Sequence, residues 1–194
     1  MIILDNGHGK DTYGKGSPTW SDGTQLFEYE FNRDIVKRIY AGLNVLSIKS
    51  HILVPEAIDI RLNVRCERAN KIYKTMPDSF LISVHGNAAA SPGEGKGWEV
   101  WTSPGQTKSD EIASCFYKAA EECLPEFKMR SDRSDGDTDK ESKFYILIHT
   151  ICPAILTENL FYDNEAECRF MLSDEGRQRI AEMHIKGILK YLKQ

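Results

Sequence analysis

The sequence predicts an α/β fold in which a twisted, mostly parallel (mixed) sheet of about six strands is flanked by helices. Short apolar runs at residues 2–5 and 80–84, rich in β-branched side chains, are typical of buried strands. Runs of this kind alternate along the chain with amphipathic segments of helical length, as in α/β proteins. The chain has 194 residues, of which 41% are hydrophobic, and this size suits one globular core. We therefore expect a single domain spanning residues 1–194.

The first half of the chain predicts strands and helices in alternation. The residues favour strands at 2–5, 51–54, 80–84 and 97–101, helices at 25–46 and 61–74, and loops at 9–24 and 88–96. The first helix is indicated by Phe27, Phe31, Ile35 and Ile39, which recur every four residues and form one apolar stripe. The loop at 9–24 is rich in Gly, Ser, Thr and Asp, which favour turns.

The second half predicts a helix at 109–123, a strand at 154–157, and closing helices at 164–172 and 174–192. Residues 130–142 contain almost no apolar side chain, which indicates a solvated loop, and we expect it to border the functional cleft. Residues 143–148 fit either a strand or a short turn.

Composition excludes several classes of partner. The net charge is −4, and we find no basic patch of the kind that binds nucleic acid or an anionic membrane. No apolar run reaches the length of a membrane span, so we expect no membrane insertion. The five cysteines have irregular spacing, which favours reduced thiols over a disulfide framework. The sequence starts directly with strand-like residues and lacks a signal-peptide pattern, so we expect synthesis in the cytoplasm.

Two histidines follow the first and third predicted strands. His8 comes after residues 2–5 and His85 after residues 80–84, each beside a glycine turn. Ligand sites in open α/β sheets form at the carboxyl ends of strands, where these two imidazoles should meet. Catalytic zinc sites use three protein ligands and leave one position open. The sequence therefore predicts a metal site in which His8 and His85 are two of the three protein ligands.

The third ligand is expected at the start of the first long helix. Glu28 and Glu30 both lie there. Glu28 is closer to the edge of the apolar stripe and is more apt to face inward, although the residues alone do not exclude Glu30.

Glu158 ends the apolar run 153–157, at a position where a carboxylate could act as a general base toward water activated by a metal. The other three histidines, His51, His149 and His184, fit structural or surface roles better.

Taken in order, these motifs resemble a known family. They are Asp-Asn-Gly-His-Gly at 5–9, Glu28 with Asn32, the helix at 61–70, Ser-Val-His-Gly-Asn-Ala at 83–88, and Pro-Ala-Ile-Leu-Thr-Glu at 153–158. They look like the zinc-dependent N-acetylmuramoyl-L-alanine amidases of the type-3 catalytic domain. The resemblance covers residues 1–192.

This resemblance implies zinc (Zn²⁺) bound by His8, Glu28 and His85, with Glu158 as the catalytic carboxylate. It implies hydrolysis of the amide bond between N-acetylmuramic acid and L-alanine in peptidoglycan, and it offers Asn87 as a substrate contact. We expect a monomer that acts on the cell wall after release, as a phage or prophage endolysin does. The chain departs from the family pattern at Asn6, Lys10 and Leu160, where Pro, Gly and Gly are common.

Two other functions stay open. Another zinc hydrolase of peptidoglycan, such as a carboxypeptidase or a deacetylase, would share the metal and cut a different bond. A peptidoglycan-binding module without catalysis would be expected to lack one of the four site residues, and this sequence has all four.

Overall fold

A six-stranded mixed sheet is the centre of the fold in the computed structural model, which describes residues 1–193. The strands are β1 Ile2–Asn6, β2 Ser50–Ile52, β3 Phe80–Asn87, β4 Trp98–Thr102, β5 Lys140–Glu141 and β6 Ala154–Phe161. Their order across the sheet is β2-β1-β3-β6-β4-β5. Only the β4–β6 pair is antiparallel among the five strand pairs within residues 1–193. The predicted mostly parallel α/β sheet is therefore confirmed.

Helices cover both faces of this sheet. They are α1 Glu28–Val45, α2 Leu62–Thr75, α3 Lys108–Cys123, α4 Tyr145–Ile148, α5 Glu165–Leu172 and α6 Asp174–Leu192. Buried side chains of α1, α3, α5 and α6 form one large core with one face of the sheet. Those of α2 and α4 form a smaller core with the other face.

The alternation of side chains in the strands explains why both faces are apolar. Ile2 and Leu4 of β1 belong to the larger core, whereas Ile3 between them belongs to the smaller one. All three side chains are at most 2% exposed. A strand covered on both sides reads as a continuous apolar run, which is the pattern that identified it in the sequence.

The central strands run further than predicted. β3 continues to Asn87 and β6 to Phe161, so His85 and Glu158 lie inside strands and not at their ends. The register between these two strands shifts after the His85–Glu158 pair, so that Asn87 pairs with Phe161. The shift is a β-bulge that accommodates one extra residue in β6.

Leu160 lies in this bulge with φ +67°. This left-handed conformation favours glycine and is uncommon for a leucine.

The segment before β6 also differs from the prediction. Residues 143–148 contain the short helix α4 and no strand, and the expected loop at 130–142 includes the two-residue strand β5. β5 adds to the sheet edge beside β4, where its two residues pair with Trp101 and Thr102.

Across residues 1–193, no helix has both the length and the apolar character needed to cross a bilayer.

Candidate metal centre and cleft

His8, Glu28 and His85 converge at the carboxyl end of the central strands. One ligand atom from each lies within 4.8 Å of those of the other two. Glu28 Oε1 is 3.4 Å from His8 Nε2 and 3.1 Å from His85 Nδ1. The two imidazole rings meet edge to face, with centroids 5.1 Å apart. The predicted candidate ligands are thus brought together, and a metal ion could be held among them.

Two arginines fix the turn that carries His8. His8 has φ +63°, a left-handed conformation that is uncommon outside glycine. Its carbonyl oxygen accepts hydrogen bonds from Arg33 Nη1 at 2.7 Å and Arg65 Nη2 at 3.4 Å. Arg65 also donates to Asp5 Oδ1 and to the carbonyl oxygen of Asn6, both at 2.8 Å. These bonds stabilise a backbone conformation that would otherwise cost about 1–3 kcal/mol.

A hydrogen-bond chain orients the His85 ring. The Ser83 hydroxyl donates to Asp5 Oδ2 at 2.6 Å and lies 3.2 Å from His85 Nε2. Because the Ser83 proton points to Asp5, His85 Nε2–H must donate to Ser83 Oγ. A neutral ring then directs its Nδ1 lone pair toward Glu28. Metal-binding histidines commonly donate their other N–H to such a partner.

Glu28 is 1% exposed and begins α1. Asn32 Nδ2, one turn later, lies 3.4 Å from Glu28 Oε1 and donates to the carbonyl oxygen of Gly7 at 3.1 Å. Burial alone would raise the pKa of Glu28, but the two neighbouring histidines outweigh burial and hold this pKa below its ordinary value. The second carboxylate oxygen, Oε2, is buried with no hydrogen-bond partner in the described part of the chain.

Glu30, the other candidate from the sequence, lies elsewhere. It is exposed, and its carboxylate accepts a hydrogen bond from the Tyr29 hydroxyl. The structure therefore groups Glu28, and not Glu30, with the two histidines. Burial also lowers the pKa of His8 to about 4, although Glu28 acts in the opposite direction. A neutral imidazole at neutral pH is the form that binds metals.

Glu158 lies opposite His85 in the β3–β6 register and lines the same cleft. Its Oε2 atom is buried without a hydrogen-bond partner in residues 1–193. Burial, followed by the negative charges of Glu28 and Glu99, raises the pKa of Glu158 well above its ordinary value. A raised pKa makes this carboxylate a stronger base toward a proton of water than an exposed glutamate is.

The cleft has a volume of about 840 Å³ and is lined by both polar and apolar residues. His8, His85 and Glu158 are among the polar ones. The apolar ones include Ile60, Leu62, Phe144, Tyr145, Ile146 and Leu156. Phe144 and Tyr145 follow segment 130–142 after one intervening residue, Lys143, but no residue of that segment lines the described cleft.

Asn87 is not among the described residues that line this cleft. Its side-chain amide donates to Glu99 Oε1 at 2.9 Å, and its Oδ1 accepts from the backbone N–H of Ala88. Glu99 also accepts from Arg130 Nε at 2.6 Å and Lys140 Nζ at 3.0 Å. Substrate contact by Asn87 therefore stays a prediction.

The remaining histidines lie outside the cluster. His51 is exposed in β2, and His149 is exposed and stacked on Tyr145. His184 is fully buried in α6, where Nδ1 donates to the carbonyl oxygen of Ile180 at 2.8 Å and Nε2 lies 2.9 Å from Thr157 Oγ1. Because Thr157 precedes Glu158, His184 supports the strand that carries the candidate base.

Sequence reasoning missed the supporting residues around the cluster. Asp5 lies three residues before His8 and Ser83 lies two residues before His85, and the register of β1 and β3 pairs Asp5 with Ser83. Their polar side chains inside apolar runs were the available signal. Arg65 lies in the predicted helix at 61–74, and the residue types alone do not show that its side chain is buried.

The chain matches a known family over nearly its full length. A sequence profile of the family described as N-acetylmuramoyl-L-alanine amidase matches residues 2–190. The endolysin of Bacillus phage SPP1 is 29% identical over 194 residues, covering 99% of this chain and 66% of the phage protein. The N-acetylmuramoyl-L-alanine amidase LytC of Bacillus subtilis strain 168 is 24% identical over 190 residues, covering 98% of this chain and 35% of LytC. The chain thus spans less than two thirds of the length of each of these relatives.

Solved structures show the same fold. The crystal structure of an N-acetylmuramoyl-L-alanine amidase from Clostridium difficile 630 matches with a TM-score of 0.83 at 24% identity, covering 100% of this chain and 96% of that one. The amidase AmiC2 of Nostoc punctiforme matches with a TM-score of 0.81 at 23% identity, covering 100% of this chain and 97% of that one.

Proposed function

The chain belongs to the N-acetylmuramoyl-L-alanine amidase family, and from this membership we propose that it hydrolyses the amide bond between N-acetylmuramic acid and L-alanine in peptidoglycan. The observation that carries the proposal is the grouping of His8, Glu28 and His85 beside a cleft that Glu158 also lines. Two imidazoles and one carboxylate are a ligand set that catalytic zinc uses in hydrolases.

The residues present fit a zinc ion. The buried Glu28 Oε2 atom has no hydrogen-bond partner in residues 1–193, and the orientation of His85 directs a lone pair at the same carboxylate. Electron-pair donors facing one another at 3.1 Å repel unless a cation or a proton lies between them. We therefore propose that His8, Glu28 and His85 hold zinc.

Zinc bound here would polarise the scissile carbonyl and ease the deprotonation of water. Glu158 would accept the proton of the attacking water at Oε2, its buried oxygen without a hydrogen-bond partner. It would then deliver that proton to the departing amine of L-alanine, for which its raised pKa is suited. Asp5 and Ser83 hold the His85 ring, and Arg33 and Arg65 hold the His8 turn, so the site is pre-oriented.

The cleft also suits an amide flanked by a sugar and a peptide. Its apolar lining residues can cover the lactyl and alanyl methyl groups, while His8, His85 and Glu158 contact the bond that is cut. The similarity to a phage endolysin supports a lytic role at the cell wall after release from the cytoplasm. We propose that the chain works there as a monomer, with peptidoglycan and not nucleic acid as its partner.

Digestion of purified peptidoglycan, with products identified by mass, tests this function. The zinc-loaded protein is expected to release stem peptides that begin with a free L-alanine amine, and removal of zinc by a chelator is expected to stop the release. Glu28→Gln should lose zinc and activity. Glu30→Gln is the matched control, because Glu30 is exposed and lies two residues after Glu28 in the first turn of the same helix.

Other products would assign another function. Cleavage within the stem would indicate a zinc peptidase, and release of acetate would indicate a deacetylase. Zinc binding without any cleavage would indicate a peptidoglycan-binding module. Each of these results would overturn the proposed amidase activity.

A further inference from the structure

A second cluster of carboxylates lies outside the cleft, beside the edge strand β5. Asp110 is in the first turn of α3, and Asp137 and Asp139 directly precede β5. One carboxylate oxygen from each lies within 4.8 Å of those of the other two. Asp139 is 2% exposed and Asp110 is 7% exposed. Three acidic groups are thus packed together where water has little access.

Each carboxylate has one oxygen bound by a neutral donor. Thr102 Oγ1 donates to Asp139 Oδ2 at 2.5 Å, and Gln106 Nε2 donates to Asp137 Oδ2 at 3.2 Å. The backbone N–H of Thr107 donates to Asp110 Oδ2 within the capping box of α3.

The second oxygen of each carboxylate, Oδ1, is buried with no hydrogen-bond partner in residues 1–193. Three such atoms in one cluster are unusual, because buried polar atoms are nearly always paired. They point to a partner that binds oxygen.

The charges around the cluster call for a cation. Three carboxylates have oxygens within 4.8 Å of one another, and two of these residues are at most 7% exposed, so little water can screen their like charges. Like charges this close are compensated in proteins either by a bound cation or by a shared proton.

The donor set favours a hard ion. All three candidate ligands are carboxylate oxygens, without the imidazole or thiolate that zinc prefers. Calcium binds carboxylates at about 2.3–2.6 Å, so two oxygens on opposite sides of one ion are about 4.8 Å apart. We propose that Asp110, Asp137 and Asp139 form a binding site for a hard divalent cation of the Ca²⁺ type.

Such an ion would fasten segment 130–142 to α3. Through Thr102 it would also stabilise the junction of β4 and β5. The next residue, Lys140, donates to Glu99 beside the candidate active site. The main expected consequence is therefore a calcium-dependent ordering of segment 130–142, separate from the zinc site.

Calcium titration of the full chain tests this proposal. The protein is first saturated with zinc in calcium-free buffer, so that the cluster of His8, Glu28 and His85 is occupied. Isothermal calorimetry with CaCl₂ should then show one site. The melting temperature should rise by about 5–10 °C when calcium is one hundred times its Kd. Tryptic cleavage after Arg133, which is exposed in segment 130–142, should slow in parallel.

Paired variants separate this site from other calcium effects. Asp139→Asn removes a charged ligand at nearly constant shape and should abolish both the heat of binding and the rise in melting temperature. Asp135→Asn is the matched control, because Asp135 is an exposed carboxylate of the same segment outside the cluster. It should keep both responses. If Asp139→Asn does not fold, Asp137→Asn serves the same purpose at a less buried position.

Three results would overturn the proposal. The first is no binding to the wild type at calcium concentrations up to about 10 mM, well above the Kd of weak extracellular calcium sites. The second is a calcium response that persists in the variant lacking a ligand. The third is a calcium-independent rise in melting temperature for Asp139→Asn, which would show that the carboxylates share a proton.

Discussion

Removal of the Arg65 side chain tests how the candidate metal centre is built. Its guanidinium is 2% exposed and forms an ion pair with Asp5, which is equally buried, at 2.8 Å. The same group donates to the carbonyl oxygens of Asn6 and His8 and forms a second ion pair with Asp59. Arg65→Ala would leave the Asp5 carboxylate charged, buried and short of a partner.

The expected cost is large for a single substitution. Breaking a buried ion pair from one side costs about 3–5 kcal/mol. For a chain of this size that corresponds to a fall in melting temperature of roughly 6–20 °C. Zinc affinity should fall as well, because the His8 turn loses one of the two arginines that hold its left-handed conformation. Arg65→Lys keeps the charge and loses the forked geometry, so its effects should be intermediate.

Urea unfolding, monitored by circular dichroism with and without zinc, measures this cost. Lys71→Ala is the control, because Lys71 is an exposed residue on the same helix and should change stability by less than about 0.5 kcal/mol. A loss below about 1 kcal/mol for Arg65→Ala would refute the reasoning, since it would mean that Asp5 is stabilised without its partner.

Two further substitutions test other parts of the site. A Cβ added at Gly7 would overlap the His85 imidazole, so Gly7→Ala should weaken zinc affinity by about 10–100-fold in a competition assay; wild-type affinity would contradict this. Burial lowers the pKa of His184 from 6.5 to about 4, so stability should be lost as the pH falls from about 6.5 toward 4, where the unfolded chain binds the proton more tightly. Between about pH 7 and pH 4.5 the wild type should therefore lose about 2 kcal/mol more unfolding free energy than His184→Gln. Equal losses would show that this histidine is not held neutral.

The sheet could be predicted because its strands are buried on both faces. Ile2–Asn6 and Phe80–Asn87 read as apolar runs for that reason, and their order along the chain defined the parallel sheet. The strand ends were less predictable. β3 and β6 extend past His85 and Glu158 because a bulge with Leu160 at φ +67° prolongs their pairing. Nothing in the local residue pattern marks a leucine for that conformation.

The candidate ligands were predictable in part. His8 and His85 could be found because each lies at or near the end of an apolar strand. Glu28 and Glu30 could not be separated from the residues alone, because both begin the same helix and only its packing decides which carboxylate is buried. Contacts between segments far apart in sequence could not be predicted either, because they too depend on how the elements pack.

Asp110 and Asp139 illustrate this limit. They are far apart in sequence and belong to a helix start and a polar segment, each of which is ordinary by itself. Their meeting depends on β5 joining the sheet edge beside β4. A two-residue strand inside a polar segment has no periodicity from which it could be predicted.

The most direct measurement of the proposed chemistry is peptidoglycan cleavage by Glu158→Gln, together with its zinc content. We expect the variant to bind one zinc ion as the wild type does, because Glu158 is not in the ligand cluster. Cleavage should fall by about 10²–10⁴-fold, the usual contribution of a general base. Glu67→Gln, an exposed change on α2, should leave both quantities unchanged. Cleavage within about tenfold of the wild type by a zinc-loaded Glu158→Gln would contradict the assignment of Glu158 as the base.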